Sequence, residues 1–294
     1  MGMEQVKHIS VIGAGSMGHQ IAMLCALGGF QTMLQDIHEG ALQKAENTLH
    51  ELMDKWVRKQ KISEEEKDAA FARLSFSTNL EKAASKADLI IEAVVEKLDV
   101  KREVFAKLDI FAPPHAILAT NSSTIVNSLL ASATSRPDKV CNMHFFYPPL
   151  VMDCVEVVMS EETSEETAQV AMGICKKMNR TGILLRKEIS GFVANRILGV
   201  LMDEAMNLYE AGIADFQDID LICKRALNHP IGPFALMDLS GLDVAYYVQT
   251  QRYAETRDPR DKPRAIIAEK LKEGKLGRKS GEGWYNYKRV EEVK

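Results

Sequence analysis

The 294-residue chain has 46% hydrophobic and 27% charged residues, an ordinary globular balance that allows one large or two ordinary domains. A net charge of -4 argues against a global basic field for nucleic acid, and no apolar run approaches the roughly 20 residues that cross a membrane. The cysteines form no C-x-x-C pair, so we expect reduced thiols, no metal site and no disulfide framework. Because a strand pattern starts almost at the first residue, we predict no signal peptide and a cytoplasmic location.

A strand, a glycine-rich turn and a helix open the chain. The apolar stretch 6–12 runs into G-A-G-S-M-G, in which Gly13, Gly15 and Gly18 have the G-x-G-x-x-G spacing. These glycines permit a tight turn, the approach of a pyrophosphate to a helix N-terminus, and close helix–strand packing. A second apolar strand leads to Asp36, whose carboxylate can accept hydrogen bonds from a ribose diol and repels a 2′-phosphate. The pattern predicts a dinucleotide site that prefers NAD to NADP.

A long helical pattern follows, from Glu39 to about Gln60, and it ends in a basic cluster that includes Lys59. Such a cluster is usually a solvated helix end. It could also meet the phosphates of a large anionic substrate, and both interpretations stay open. Ser63 and Glu66 predict a capping box at the start of the next helix.

The apolar run 89–95 is typical of a parallel strand that is buried on both faces. Glu96 lies just past its end, Asp99 is a candidate N-cap, and Lys101 lies in the first turns of the helix that follows. Ligands of open α/β sheets bind beyond the carboxyl ends of strands, so Glu96 and Lys101 are candidate cofactor residues. They could equally be ordinary charges of a first helical turn.

A polar turn, Asn121-Ser122-Ser123-Thr124, follows a short strand at 116–120. We expect it to cap a helix, to contribute to a site, or both.

The stretch 144–156 predicts an antiparallel hairpin centred near Leu150, with Pro148 and Pro149 interrupting the ladder. His144 and Glu156 are equally distant from that centre, so they should face each other on one side of the ribbon. A carboxylate can hold an imidazole in one tautomer and stabilise its protonated form. The pair is therefore either a catalytic base with its partner or a structural pair at a sheet edge.

After Glu188 the composition changes, and residues 191–273 have an almost wholly helical pattern in which Asn195 lies at the start of a long helix. We predict an α/β fold, with a mostly parallel Rossmann-type sheet in an NAD-binding domain at 1–188. An all-α domain at 189–294 would follow it.

Eight segments of the chain, taken in order, resemble the short-chain L-3-hydroxyacyl-CoA dehydrogenases, including bacterial 3-hydroxybutyryl-CoA dehydrogenases. They are G-A-G-S-M-G, I-E-A-V-V-E-K, N-S-S, M-H-F-F, V-M-D-C-V-E-V-V, G-F-V-A-N-R-I-L, N-H-P-I-G-P-F and G-R-K-S-G-E-G-W-Y. The resemblance covers essentially the whole chain. It implies a homodimer that assembles through the helical domain and acts on an acyl-CoA.

The resemblance also implies a role for each matched residue. His144 matches the catalytic histidine, Glu156 its carboxylate partner, and Ser123 and Asn195 the two contacts to the reacting oxygen of the substrate. Lys59 matches more loosely a lysine associated with CoA. The matched dinucleotide positions are Gly13, Gly15, Gly18, Asp36, Glu96, Lys101 and Lys279.

One position departs from the family pattern H-F-F-N-P, since Tyr147 stands where the family usually has an asparagine that contacts the nicotinamide side of the cofactor. A phenol does not reproduce the donor–acceptor pair of an amide. This change bears on the acyl pocket and chain length more than on the chemistry.

The resulting hypothesis is NAD-dependent oxidation of the 3-hydroxyl of a short-chain 3-hydroxyacyl-CoA. Two alternatives stay open at this point. One is a sugar-acid oxidoreductase of the gulonate 3-dehydrogenase type, which shares the fold and the serine, histidine, glutamate and asparagine set. The other is a nucleotide-binding protein without catalysis, because a fold does not determine a function.

Overall fold

The computed structural model of the chain describes residues 2–287, apart from the side chains of Glu255 and Arg260. The chain divides into two compact units, of which the first ends at Phe192 and the second begins at Val193. No helix among the described residues is both long and apolar enough to cross a membrane.

The first unit is built on one eight-stranded sheet with the strand order β3-β2-β1-β4-β5-β6-β7-β8. The first six strands in chain order run parallel, β7 is antiparallel to β6, and β8 is parallel to β7. The order reverses between β1 and β4, which is the topological switch point of a doubly wound sheet. The strands are β1 His8–Ile12, β2 Gln31–Gln35, β3 Leu74–Ser77, β4 Leu89–Glu92, β5 Ile117–Thr120, β6 Val140–Phe145, β7 Cys154–Val158 and β8 Thr181–Leu185.

Helices cover the sheet and begin at polar caps that are visible in the sequence. Ser63 and Glu66 form the predicted capping box, and the Ser164 side chain accepts a hydrogen bond from the Thr167 amide at the next predicted helix start. The helices of this unit are α1 Gly18–Leu27, α2 Glu39–Arg58, α3 Glu64–Arg73, α4 Leu80–Ala84, α5 Leu98–Phe111, α6 Ser128–Ala131 and α7 Glu165–Lys177.

Two local expectations are corrected, and one strand is added. The strand predicted at 89–95 ends at Glu92, because the Val94 amide donates to the Glu92 carboxylate at 2.7 Å and the chain turns away. Asp99 is not the N-cap of α5, since that position is Lys97. The edge strand β3 was not predicted, because its four residues give too short a pattern to stand out after α3.

Two apolar cores lie on the two faces of the sheet. One contains Ile21, Leu24 and Leu49 from α1 and α2, and the other contains Phe105 and Leu108 from α5. Strand residues that alternate between the faces feed both cores, as expected for a sheet buried on both sides. The buried sheet therefore has its functional polar groups at the ends of the strands.

The second unit is helical in its described part, as predicted. Its core contains Met206, Phe234 and Trp284, and two buried carboxylates hold its turns. Asp220 accepts hydrogen bonds from the amides of Phe234 and Ala235 at the start of a helix. Asp238 accepts hydrogen bonds from the amides of Trp284 and Tyr285. The helices are α8 Ala194–Glu210, α9 Phe216–Arg225, α10 Pro233–Ser240, α11 Leu242–Thr256 and α12 Ala265–Lys272.

Candidate active site

The hairpin predicted from the sequence pairs an imidazole with a carboxylate. His144 and Glu156 are directly opposite each other in the antiparallel β6–β7 ladder, as their symmetric spacing indicated. Their side chains meet with 2.8 Å between Nδ1 and Oε2. The residues are 5% and 3% exposed, so bulk water screens this contact little.

This contact assigns a tautomer to the ring. A carboxylate only accepts hydrogen bonds, so Nδ1 of His144 carries a hydrogen, and in the neutral ring Nε2 then has the free lone pair. Phe146 and Phe192 pack against the ring, with centroid distances of 4.5 and 5.4 Å. The orientation of Nε2 is therefore set by one hydrogen bond and two aromatic contacts.

Hydrogen bonds from other elements fasten the hairpin to the sheet. The amide of Phe145 donates to the Asn121 side chain at 3.0 Å, which joins the end of β6 to the turn after β5. The amide of Leu150 donates to the Gln20 side chain at 3.3 Å, which joins the hairpin loop to α1. The strand that carries His144 is thus tied to the helix that follows the glycine-rich turn.

The glycine-rich turn has the shape of a dinucleotide cradle. Gly13 has φ +103°, and a Cβ there would lie 2.6 Å from the Ala93 carbonyl oxygen. A Cβ on Gly18 would collide with the Gly13 carbonyl, whereas a Cβ on Gly15 would meet nothing within 4 Å. The first and third glycines are therefore required by the protein itself, and the open space over Gly15 fits a pyrophosphate near the N-terminus of α1.

Asp36 lies just past the end of β2 and close to this turn. Its carboxylate accepts hydrogen bonds from the amides of Ala14 at 2.8 Å and His38 at 3.0 Å. The side chain is thereby held beside the glycine-rich turn, where an acidic group suits a ribose diol and disfavours an additional phosphate. The residues present fit NAD.

Glu96 and Lys101, the two candidate cofactor residues after β4, are joined to each other. Lys101 is only 1% exposed, and its ammonium lies 3.1 Å from the Glu96 carboxylate and 2.8 Å from that of Glu92. Burial raises the pKa of Glu96, but the Lys101 charge and the hydrogen bonds from Ser122 and Thr124 outweigh burial and hold that pKa below its ordinary value. Glu96 thus stays charged, and the ammonium of Lys101 pairs with two carboxylates of the protein itself.

The polar turn after β5 does not cap a helix, since the next helix, α6, has Asn127 as its N-cap. The Ser122 hydroxyl instead closes the turn, accepting from the Ile125 amide and donating to Glu96. Ser123, the predicted substrate contact, is the next residue and is half-buried. Tyr147 is 66% exposed in the hairpin loop, three residues after His144.

The parallel sheet explains why these groups share one edge. His144 lies near the end of β6, and the groups described above follow the ends of β1, β2, β4 and β5. Because the carboxyl ends of parallel strands lie on one side of a sheet, residues distant in sequence come together there.

Three predicted residues belong to other elements of the chain. Lys59 caps the C-terminal end of α2 and is exposed. Asn195 is the second residue of α8 and is half-buried, and Lys279 forms an ion pair with Asp243 in the second unit. Their predicted roles toward substrate and cofactor stay predictions.

Sequence reasoning missed three polar residues of this region. Glu92 ends a strand whose sequence pattern is almost wholly apolar, and Asn142 and Gln20 lie within a strand and a helix. The signal that could have revealed Glu92 was its position, since a charged residue at the end of a buried central strand requires a partner.

Comparisons with known proteins agree with this geometry. Residues 8–189 match the family described as 3-hydroxyacyl-CoA dehydrogenase, NAD binding domain, and residues 191–287 match the C-terminal domain of the same name. A 3-hydroxybutyryl-CoA dehydrogenase from Clostridioides difficile is 37% identical over 279 residues, covering 95% of this chain and 99% of that protein. The human mitochondrial hydroxyacyl-coenzyme A dehydrogenase is 35% identical over 289 residues, covering 96% of this chain and 92% of that protein.

A solved structure shows the same fold. The crystal structure of (S)-3-hydroxybutyryl-CoA dehydrogenase from Ralstonia eutropha superposes with a TM-score of 0.91 at 36% identity, covering 97% of this chain and 100% of that one.

Proposed function

Since the chain belongs to the 3-hydroxyacyl-CoA dehydrogenase family and is an NAD-dependent oxidoreductase, we propose that His144 and Glu156 catalyse its reaction on a short-chain substrate. The reaction is the reversible oxidation of the 3-hydroxyl of a 3-hydroxyacyl-CoA to the 3-ketone. The proposed substrate is 3-hydroxybutyryl-CoA, which relatives of similar length have in their names.

One observation carries the catalytic assignment. The buried His144–Glu156 pair, with 2.8 Å between nitrogen and oxygen, lies at the same sheet edge as the glycine-rich turn. An alcohol oxidation that releases a hydride also releases a proton, so the site needs a base beside the cofactor. His144 is a base with a defined tautomer, because Glu156 occupies its Nδ1.

The protein's part in the reaction follows from that tautomer. Nε2 of His144 removes the proton of the 3-hydroxyl while the hydrogen on C3 leaves with its electron pair. NAD supplies the hydride acceptor in this direction and the hydride donor in the reverse direction. Glu156 stabilises the imidazolium that forms, and in ketone reduction the imidazolium returns its proton to the oxygen.

Two further residues act on the same oxygen in this proposal. Ser123 and Asn195 hydrogen-bond to it, and their donors polarise the ketone in the reverse direction. Glu96, fixed by Ser122 and Lys101, contributes to the cofactor site together with Asp36 and the glycines, and Lys279 of the second unit completes that set.

The CoA part of the substrate and the assembly are also proposed. Lys59 would meet a CoA phosphate, which its exposure at the end of α2 supports. A homodimer through the second unit is supported by exposed apolar side chains on α8 and α11, among them Val200 and Tyr247. The proposed domains, 1–188 for the cofactor and 189–294 for substrate and dimerisation, and the cytoplasmic location rest on the sequence.

Reduced-nicotinamide absorbance tests the function. With NADH, we expect rapid turnover of acetoacetyl-CoA and little of free acetoacetate, because only the thioester carries the CoA contacts. NADPH in place of NADH should be a poor donor. Turnover of a free sugar acid such as gulonate with NAD, without turnover of the CoA ester, would contradict the proposed substrate.

A further inference from the structure

A buried carboxylate without a proposed role lies at the end of the central strand β4. Glu92 is fully buried, and both of its oxygens are occupied. Lys101 donates to them at 2.8 and 3.0 Å, Thr120 donates at 2.7 Å, and the amide of Val94 donates at 2.7 Å. A buried ion pair adds little net stability, because the loss of hydration offsets the attraction, whereas its effect on geometry is direct.

Two arms lead from Glu92 to the same serine. In the first, Thr120 donates to Glu92 and accepts from the amide of Ser122 at 3.1 Å. In the second, Lys101 bonds to Glu92 and lies 3.1 Å from Glu96, which accepts from the Ser122 hydroxyl. These five residues close a ring of hydrogen bonds, called here the Glu92 ring.

The Glu92 ring joins three segments at the switch point of the sheet. It holds the loop after β4, the first turn of α5 and the turn after β5. Ser123 follows directly on the turn held by the ring, and the Ala93 carbonyl beside the ring faces Gly13. The ring therefore lies behind residues that are proposed to contact both the cofactor and the reacting oxygen.

We propose that Glu92 is a positioning residue, which through Thr120 and Lys101 sets the position of Glu96 and of the Ser122–Ser123 turn. This inference rests on the proposed function of Ser123 and Glu96. It gives Lys101 an indirect role, because an ammonium enclosed by two carboxylates acts through Glu96.

Glu92→Gln tests the proposal, since the amide retains the shape of the side chain and removes its charge. Lys101 then has Glu96 as its only charged partner in the ring, so Glu96 is drawn toward it and away from Ser122. We expect kcat for acetoacetyl-CoA reduction to fall at least tenfold and the Kd of NADH, measured by fluorescence, to rise. Ser122→Ala should act on the same arm, so the double variant should be little worse than the more severe single variant.

Asp109→Asn is the matched control, because it breaks a second largely buried ion pair of the same unit, with Arg136 at 2.7 Å. Asp109 lies at the far end of α5 from Lys101, and it holds the loop before β6 by accepting from the Ser135 amide. We expect this variant to lower the midpoint of thermal unfolding, to leave kcat and the Kd of NADH unchanged, and to combine additively with Ser122→Ala.

Thr120→Val covers the case in which Glu92→Gln does not fold, because it removes one arm and keeps the ion pair. It should lower kcat by a smaller factor. Because the Ser122 hydroxyl belongs to the other arm, losing both arms should lower kcat by more than the product of the two single effects. Unchanged kcat and NADH affinity in these variants, or additivity like that of the control, would overturn the proposal. NADH affinity is measured without acyl substrate, so a wild-type protein that binds NADH and does not reduce acetoacetyl-CoA would refute the proposed function separately.

Discussion

Glu156→Gln is the substitution that tests the electrostatic part of the mechanism. Glutamine retains the shape of the side chain and an oxygen that can accept from Nδ1 of His144, which the carboxylate now meets at 2.8 Å. What disappears is the negative charge opposite the imidazolium. For charges spread over a carboxylate and a ring, about 4–5 Å apart, the attraction is ~3–4 kcal/mol at an effective dielectric constant of about 20.

The hydrogen bond to the neutral amide restores about 1 kcal/mol of that attraction. The net loss of about 2–3 kcal/mol applies to the charged form of His144, and at roughly 1.4 kcal/mol per factor of ten it lowers kcat about 30- to 150-fold. Because the loss falls on the transition state, the Kd of NADH should be unchanged.

The assay is steady-state NADH oxidation with saturating acetoacetyl-CoA, together with NADH fluorescence titration and thermal unfolding. Glu165→Gln is the matched control, because Glu165 forms an ion pair with Arg186 at 2.9 Å that is exposed and lies outside the hairpin. Exposed pairs contribute little, so this variant should behave like the wild type. A folded Glu156→Gln protein with wild-type kcat would refute the role of Glu156 as the stabilising charge.

Four other outcomes are expected. His144→Ala should lower kcat more than Glu156→Gln does, by at least about 10²-fold, with NADH titration unchanged; near-full turnover would exclude His144 as the base. Asp36→Asn should raise kcat/KM for NADPH roughly tenfold, because it removes the repulsion of a 2′-phosphate, and no gain would disprove that role. Lys59→Glu should raise KM for acetoacetyl-CoA while Lys44→Glu, on the exposed surface of the same helix, should not. Asp109→Asn should lower the free energy of unfolding by about 2 kcal/mol at pH 7, and by less at pH 3, in urea titrations. An equal loss at the two pH values would show that the charge of Asp109 is not what stabilises the protein.

The pH dependence in the last of these follows from the sign of the shift. Burial raises the pKa of Asp109, but hydrogen bonds from Ser135 and the Arg136 guanidinium outweigh burial and hold that pKa below its ordinary value. A carboxyl with a lowered pKa in the folded state stabilises the protein above the unfolded-state pKa, near 4. That stabilisation is lost as the pH falls through the folded-state pKa, so the variant and the wild type converge in acid.

Local pattern was sufficient for much of this protein. Glycine spacing between a strand and a helix predicted the cofactor turn, because only glycine fits the contacts of Gly13 and Gly18. The position of the prolines predicted the hairpin and therefore the facing of His144 and Glu156, because side chains in a ladder alternate with a period of two. These inferences depend on short-range geometry, which the order of residues determines directly.

The tertiary structure alone decided which polar groups are buried and what they contact. Spacing left Lys101 equally plausible as an exposed helix charge, and nothing in the sequence paired it with Glu92 or brought Thr120 to the same carboxylate. Those contacts arise only when parallel strands β4 and β5 lie side by side and α5 packs back over them. Whether a charged side chain is solvated or buried depends on residues that are distant in sequence and become neighbours only in the folded chain. For that physical reason the sequence by itself could not show the Glu92 ring.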